Sequence, residues 1–399
     1  MFVMNKWTLA LAVAGIVSMA AVATAEEAEN QALTAVSGTT ISGYVDTSMN
    51  WQFSDKKTTT GRSYNSDAAA QNGFNLNAVK IGVGKALEED ASVWAAGYQA
   101  DVVFGDIASI YYAASNNNVA LQNAYVDLRA PIGNGLDFRF GLFQTIVGYE
   151  SDDAYLNPNF SHSYGWEIEP TQHVGGLVSY HFDLNDWILG AYAGIANTYN
   201  SAFTNERAAD RGFSSSARLA YMGALNLVFP ESTGFLEGTE IYGGVISGVD
   251  TARGNDAPNT ANYYAGITLP LPVTGLRMGF SYDYRHSHGI DTIYSWGGGS
   301  WANAYALYLA YDVTEKLTLA NRVEFANGKV GTWTVAANNW GKEDEFLADT
   351  FTVSYKLWEN VITRAEFRWD HDCSGDHRMV DDASRANAFG ITGNICYVF

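Results

Sequence analysis

The stretch ISGYVDTSMNWQF, residues 41–53, alternates with a period of two. Ile41, Val45, Met49, Trp51 and Phe53 share one parity, and Ser42, Asp46, Ser48, Asn50 and Gln52 share the other. Successive side chains of a strand point to opposite faces, so this segment has one apolar and one polar face, whereas a helix would mix the two sets. The pattern returns at Leu276–Tyr284, where Leu276, Met278, Phe280, Tyr282 and Tyr284 oppose Arg277, Gly279, Ser281 and Asp283. It returns again at Val361–Asp370, with Phe367 and Trp369 opposed to Arg364, Glu366, Arg368 and Asp370.

Reading outward on this basis predicts sixteen strands, near 39–53, 74–86, 91–103, 119–130, 136–143, 173–182, 187–197, 213–229, 239–247, 262–269, 276–286, 301–311, 317–326, 345–357, 361–370 and 386–399. All seven prolines (131, 158, 170, 230, 258, 270, 272) are expected between them, where no ladder N–H is needed. The connections alternate in length. Short ones such as 88–90, 131–135, 183–186, 270–275, 312–316 and 358–360 interleave with long polar ones such as 54–73, 104–118, 144–172, 198–212, 327–344 and 371–385. Short turns at one end and long loops at the other indicate an all-β, transmembrane antiparallel β-barrel of about 16 strands, with 14–18 open, and with both termini on the periplasmic, short-turn side.

Composition agrees with a barrel in lipid. The chain has 11 Trp, 24 Tyr, 20 Phe and 39 Gly but only 7 Pro, a mix that suits strands, turns and interfacial aromatic belts. A water-soluble sandwich would turn its aromatics inward together. Here Trp51, Phe53, Tyr284, Phe325 and Trp369 fall at the loop ends of strands, and Phe182, Trp187, Phe229, Tyr311 and Phe399 at the turn ends, giving two girdles. Charges on the lipid parity are few, Lys85 and Asp349 being the clear ones near strand ends, and Asn321 is a polar residue there without an explanation. A Lys or Arg at mid-bilayer would cost ~2–4 kcal/mol.

The first residues read as an export signal. Lys6 precedes an uncharged, mostly apolar run from Trp7 to Val22, and Ala23-Thr24-Ala25 gives a small-x-small cleavage pattern, so residues 1–25 are expected to be removed and 26–38 to form a short polar periplasmic leader. Past Ala25 no apolar run reaches the ~18 residues of a membrane helix. The net charge of −20 argues against nucleic acid as a partner, and reads either as loop solubility or as a preference for cations. Export makes a disulfide between Cys373 and Cys396 conceivable, but the strand assignment places them near opposite rims, so both are expected as free thiols.

Enzymatic and cofactor readings are weak. His286-Ser287-His288 and Ser161-His162-Ser163 set nucleophile and base types side by side, which is not triad geometry. His371, Asp372, Cys373, Asp376 and His377 lack the paired-Cys spacing of a zinc site, and no haem attachment pattern is present. We expect no catalysis, no metal and no cofactor.

The last strand ends Ile391, Gly393, Ile395, Tyr397, Phe399 on one parity. It resembles the C-terminal signal of Gram-negative outer-membrane proteins, a resemblance that implies recognition of Tyr397 and Phe399 by the barrel-assembly machinery. Between Leu121 and Tyr180 the chain carries Asn123-Ala124-Tyr125-Val126, Gly141-Leu142-Phe143, Gly148-Tyr149-Glu150 and Pro170-Thr171-Gln172-His173-Val174-Gly175-Gly176. This stretch resembles the bacterial beta-barrel porin-2, OmpL-like family. The resemblance implies a porin in the outer membrane, in contact with bilayer lipid and lipopolysaccharide and passing small hydrophilic solutes or ions by passive diffusion, and similarity to general porins adds a homotrimer. The competing expectation is a surface receptor or adhesin with long extracellular loops and a closed pore.

Charged strand residues lie mostly on the lumen parity, many with an opposite charge two residues away, as in Asp127 with Arg129, Asp137 with Arg139, Arg322 with Glu324 and Arg364 with Glu366. They read either as a salt-bridged polar wall or as a wall that sets selectivity. The loop 144–172 carries Glu150, Asp152, Asp153, Glu167 and Glu169 and no Lys or Arg. It is similar in position and charge to the loop that, in general sixteen-stranded porins, folds inward opposite a basic wall, although a solvated surface loop is the alternative. The constriction is therefore expected between those acids and Arg277, Arg285, Arg322, Arg364 and Arg368.

Overall fold

A strand in lipid has no water to bond its edge N–H and C=O groups, so a spanning sheet must close on itself. The computed structural model does so. It describes residues 38–53, 72–110, 118–200, 219–250, 259–288, 300–329, 332–333, 343–377, 379 and 385–399. The expected signal and nearly all of the expected leader lie outside them. The strands are β1 (Thr40–Gln52), β2 (Gly73–Lys85), β3 (Ala95–Phe104), β4 (Val119–Ala130), β5 (Leu136–Gln144), β6 (Gln172–Leu184), β7 (Trp187–Ala196), β8 (Ala220–Val228), β9 (Glu240–Val249), β10 (Asn259–Pro270), β11 (Leu276–His288), β12 (Ser300–Asp312), β13 (Leu317–Gly328), β14 (Asp344–Trp358), β15 (Val361–Asp372) and β16 (Asn387–Val398). Each pairs antiparallel with its chain neighbours, and β1 pairs with β16 to close the barrel. The closure reaches the last residue, since Gly43 and Phe399 exchange both backbone hydrogen bonds at 2.9 Å.

Two differences from the expected boundaries have a clear local cause. β3 begins at Ala95 because the Asp90 carboxylate accepts from the Ser92 N–H and hydroxyl (2.8 and 2.6 Å), holding the chain in a turn. Pro270 is not outside the sheet but forms the last rung of β10, opposite Arg277, where a strand end tolerates the missing donor. Part of the expected eighth strand, 213–218, lies outside the described residues.

Parity sorts the two faces as the alternation requires. In β16, Ala388, Thr392, Asn394 and Cys396 are buried toward the interior, whereas Phe389, Ile391, Ile395 and Tyr397 are exposed on the outer surface. The outward Asn321 gains its explanation here: its amide donates to Asp349 Oδ1 at 2.6 Å, so two polar groups on the apolar face satisfy each other at the height of Trp369. Cys373 and Cys396 are both free, the first exposed after β15 and the second buried.

Two of the expected same-strand ion pairs are replaced by cross-strand ones. Arg129 bonds Asp137 at 2.6 Å and Arg139 bonds Asp127 at 2.8 Å, because these residues stand directly opposite in the β4–β5 register. Directly opposed side chains lie ~5 Å apart, closer than positions i and i+2 along one strand at ~3.3 Å per residue.

Candidate functional site

The connection between β5 and β6 lies inside the barrel. Its Ile146, Phe160, Tyr164 and Ile168 are at most 2% exposed. Local chemistry shapes it in three places. Gly148 adopts φ +112, which a side chain would resist. The Asn157 side chain accepts from Ser151 N (2.8 Å) and donates to Ser151 O (2.7 Å), closing a tight turn. Ser163 caps the short helix α1 (Tyr164–Ile168), its hydroxyl accepting from Trp166 N at 3.2 Å.

One side of this loop is held by charge. Arg322 on β13, 0% exposed, donates from Nε to Glu324 Oε1 (2.7 Å), from Nη1 to Glu150 Oε1 (2.9 Å) and Ser161 O (2.5 Å), and from Nη2 to His162 O (2.9 Å). Arg364 on β15 donates to the carbonyls of Ala154 (2.7 Å), Tyr155 (2.8 Å) and Asn157 (3.1 Å). Arg368 donates to His162 O (2.6 Å), pairs with Asp370 (3.0 Å) and lies over the Tyr164 ring. The wall's own acids grip the loop amides: Glu366 accepts from Phe160 N (2.5 Å) and Ser161 N (3.0 Å), and Glu324 from Tyr164 N (2.7 Å). Arg364 and Glu366, expected as a pair, each serve the loop instead.

Three of the loop acids are correspondingly well supplied with donors. Glu150 accepts from Arg322, Tyr308 (2.8 Å), His162 Nδ1 (3.0 Å) and Ser163 N (2.9 Å). Burial alone would raise its carboxyl, but the Arg322 charge and the His162 bond outweigh this and hold it at about 2. Asp153 accepts from Lys80 on β2 (2.6 Å), Tyr44 on β1 (3.0 Å) and Gln122 on β4 (3.1 Å). Asp152 accepts from Trp166 Nε1 (2.9 Å) and Gln144 (2.8 Å), and burial raises its carboxyl. Glu167 is half-buried in the first turn of α1. Glu169 meets Asp283 of β11, and burial and that second carboxylate raise it well above the ordinary range.

The opposite side is held by apolar packing. Ile146 and Val147 cluster with Tyr192, Tyr242 and Tyr264 from β7, β9 and β10. Tyr242 Oη donates to Ile146 O (2.5 Å), Thr268 bonds Tyr149 Oη (3.0 Å), and the Tyr149 ring stacks on Tyr308 at 4.2 Å.

Of the arginines read from sequence, Arg322, Arg364 and Arg368 are brought onto the loop. Arg277 instead pairs with Asp312 (2.6 Å) and Arg285 with Asp250 (3.4 Å). Lys80, Tyr44, Gln122, Tyr308 and Asp283 were not singled out as loop partners. Lys80 was legible by parity alone. Gln122 was not, since a bulge between β3 and β4 turns both Gln122 and Asn123 inward. The Ser161–Ser163 segment serves the loop's own fixation: His162 bonds Glu150 and stacks on Trp166 at 4.1 Å.

Comparison with known proteins places this geometry. No curated protein matches the chain. Among solved structures the chain is similar to the anion-selective porin from Comamonas acidovorans (TM-score 0.56, 12% identity, covering 90% of this chain and 99% of that one). It is also similar to the in-vitro folded OmpT of Vibrio cholerae in a trimer form (0.54, 14%, 90% and 99%) and to the outer membrane channel DcaP of Acinetobacter baumannii (0.52, 11%, 90% and 97%). Identities this low establish the fold, an outer-membrane barrel. The family model described as beta-barrel porin-2, OmpL-like matches residues 38–399, and the chain belongs to that family.

Proposed function

We propose that the protein is a narrow outer-membrane diffusion channel for small hydrophilic solutes or ions, without an enzymatic role. The observation that carries this reading is the combination of a closed sixteen-strand barrel with a polar inner face and an acid-rich loop bonded within its lumen. The constriction is the loop with Glu150, Asp152, Asp153, Glu167 and Glu169 against Arg322, Arg364 and Arg368, with Arg277 and Arg285 in the surrounding wall. The wall's own carboxylates add to the loop's, so the passage favours cations. The short-turn rim and both termini face the periplasm, residues 1–25 are cleaved on export, and Tyr397 and Phe399 form the assembly signal. A homotrimer in lipid and lipopolysaccharide follows the trimer form of the Vibrio cholerae relative.

One observation favours the receptor reading. The loop's bonds reach β9, β10, β12, β13, β15, β1, β2 and β4, so it touches the wall on opposite sides. Planar-bilayer recording decides between them: small, stable, ohmic steps are expected of a channel, and silence from folded, heat-modifiable protein would favour a closed receptor barrel.

A further inference from the structure

Glu150, Asp152 and Asp153 each have a basic or neutral donor, but Glu169 meets a second acid. Its side chain contacts that of Asp283 on β11, where the end of the inward loop rests against the wall. Two glycines make the approach possible. The Glu169 carboxyl packs against Gly148, and a methyl group at Gly165 would sit 2.8 Å from Asp283 Oδ2. Asp283 is 1% exposed and Asn262, facing it from β10, is 0% exposed. Asp283 Oδ1 and both polar atoms of the Asn262 amide, Oδ1 and Nδ2, are buried without a hydrogen-bond partner.

Among the described residues no Lys, Arg or His pairs with either carboxylate. Arg322 is committed to Glu150 and Glu324, and Arg285 to Asp250. Glu150 and Asp152 nearby deepen the negative potential. A like-charge pair whose Asp283 member is buried with an orphaned oxygen is costly unless a cation or a shared proton neutralises it. A hard divalent cation of the calcium class is bound by oxygens alone, from carboxylates, amide carbonyls and water, with tolerance for irregular geometry.

We propose that Glu169, Asp283 and Asn262 form a divalent-cation site that fastens the end of the inward loop to β11. The two carboxylates supply the charge and the Asn262 carbonyl a neutral ligand, while Gly148 and Gly165 leave room for both acids to converge. The site completes the fixation of the loop, whose start is held by the tyrosine cluster and whose middle is held by Arg364 and Arg322.

The test uses the full barrel, refolded in detergent without lipopolysaccharide and stripped with EDTA. CaCl2 is titrated in by calorimetry, with MgCl2 alongside, and folding is checked by heat-modifiable gel mobility. The expected result is one calcium ion per chain and a raised melting temperature. Glu169→Gln and Asp283→Asn should each weaken calcium binding roughly tenfold or more, while Glu237→Gln in the exposed β8–β9 turn leaves it unchanged. Neither site variant is expected to unfold the barrel, because each removes one of two repelling charges, so without calcium both should melt at or above the wild type. Absence of calcium binding by the folded wild type, or binding unchanged in both variants, overturns the site. A wild type indifferent to calcium but stabilised by Glu169→Gln overturns it in favour of a shared proton. None of these readouts depends on conductance.

Discussion

The two halves of the lumen wall hold the same loop by different chemistry. From β12 to β15 the grip is ionic: Arg322, Arg364 and Arg368 donate to loop carbonyls and Glu150, and Glu324 and Glu366 accept from loop amides. From β7 to β10 it is aromatic: Tyr192, Tyr242 and Tyr264 pack on Ile146 and Val147. The ionic half is an all-or-none arrangement, since removing one member strands the others as buried charges. The tyrosine half is a sum of modest contacts. Loss of a single residue should therefore be severe on one side and mild on the other.

The sharpest way to break this contrast is Arg322→Ala. It leaves Glu150 and Glu324 buried without their shared cation, and a cost of ~3–5 kcal/mol is expected. Protease cleavage within 145–171 and larger conductance steps would report a released loop, and a variant with wild-type protection would show that the ionic half does not hold it.

Acid should attack the same half, and only at extreme pH. Glu150's folded value of about 2 lies below its ordinary 4.5. Its contribution is fully present above the ordinary value and is lost as pH falls through the folded one. The shift corresponds to about 3 kcal/mol. Loop protection measured against pH should show the Glu150 component persisting at pH 4 and disappearing near 2. Loss of that component near pH 4 in the wild type, absent in Glu150→Gln, would contradict it.

Arg364→Ala removes donors to three loop carbonyls. A smaller loss of ~1.5–3 kcal/mol is expected, read as partial protease sensitivity near 154–157, with ion preference moved further toward cations in reversal potentials. On the aromatic side, Tyr242→Phe removes only the bond to Ile146 O and should cost about 1 kcal/mol. Its effect should be insensitive to salt, and a strongly salt-dependent change would show that the tyrosine half is not apolar in character.

The barrel was legible because a period-two pattern repeated over sixteen segments carries its own geometry. Val119–Ala130 matches its expected range, and most other ends shift by one to three residues. Arg322 and Glu324 were readable as neighbours on the lumen parity and do pair at 2.7 Å. Pairings between strands were less legible. Asp127 and Arg129 look like partners along the chain, yet Arg139 and Asp137 stand closer across the ladder. Arg277 and Arg285 carry the same parity as Arg322 but find Asp312 and Asp250 first.

By itself the sequence pointed to about sixteen strands, with 14–18 open, and determined the two faces and the short-turn rim from which both ends of the barrel leave, because alternation and turn length are local or additive properties. Tertiary structure alone decided which charges meet. Register and bulges set those distances: a bulge turns Gln122 inward to reach Asp153, and the antiparallel ladder pairs Arg139 with Asp127. The course of the loop brings Glu150 to Arg322 across 172 residues and Glu169 to an acid on β11. No local pattern encodes such contacts, since they depend on how the closed barrel fixes its strands around the loop, not on any spacing along the chain.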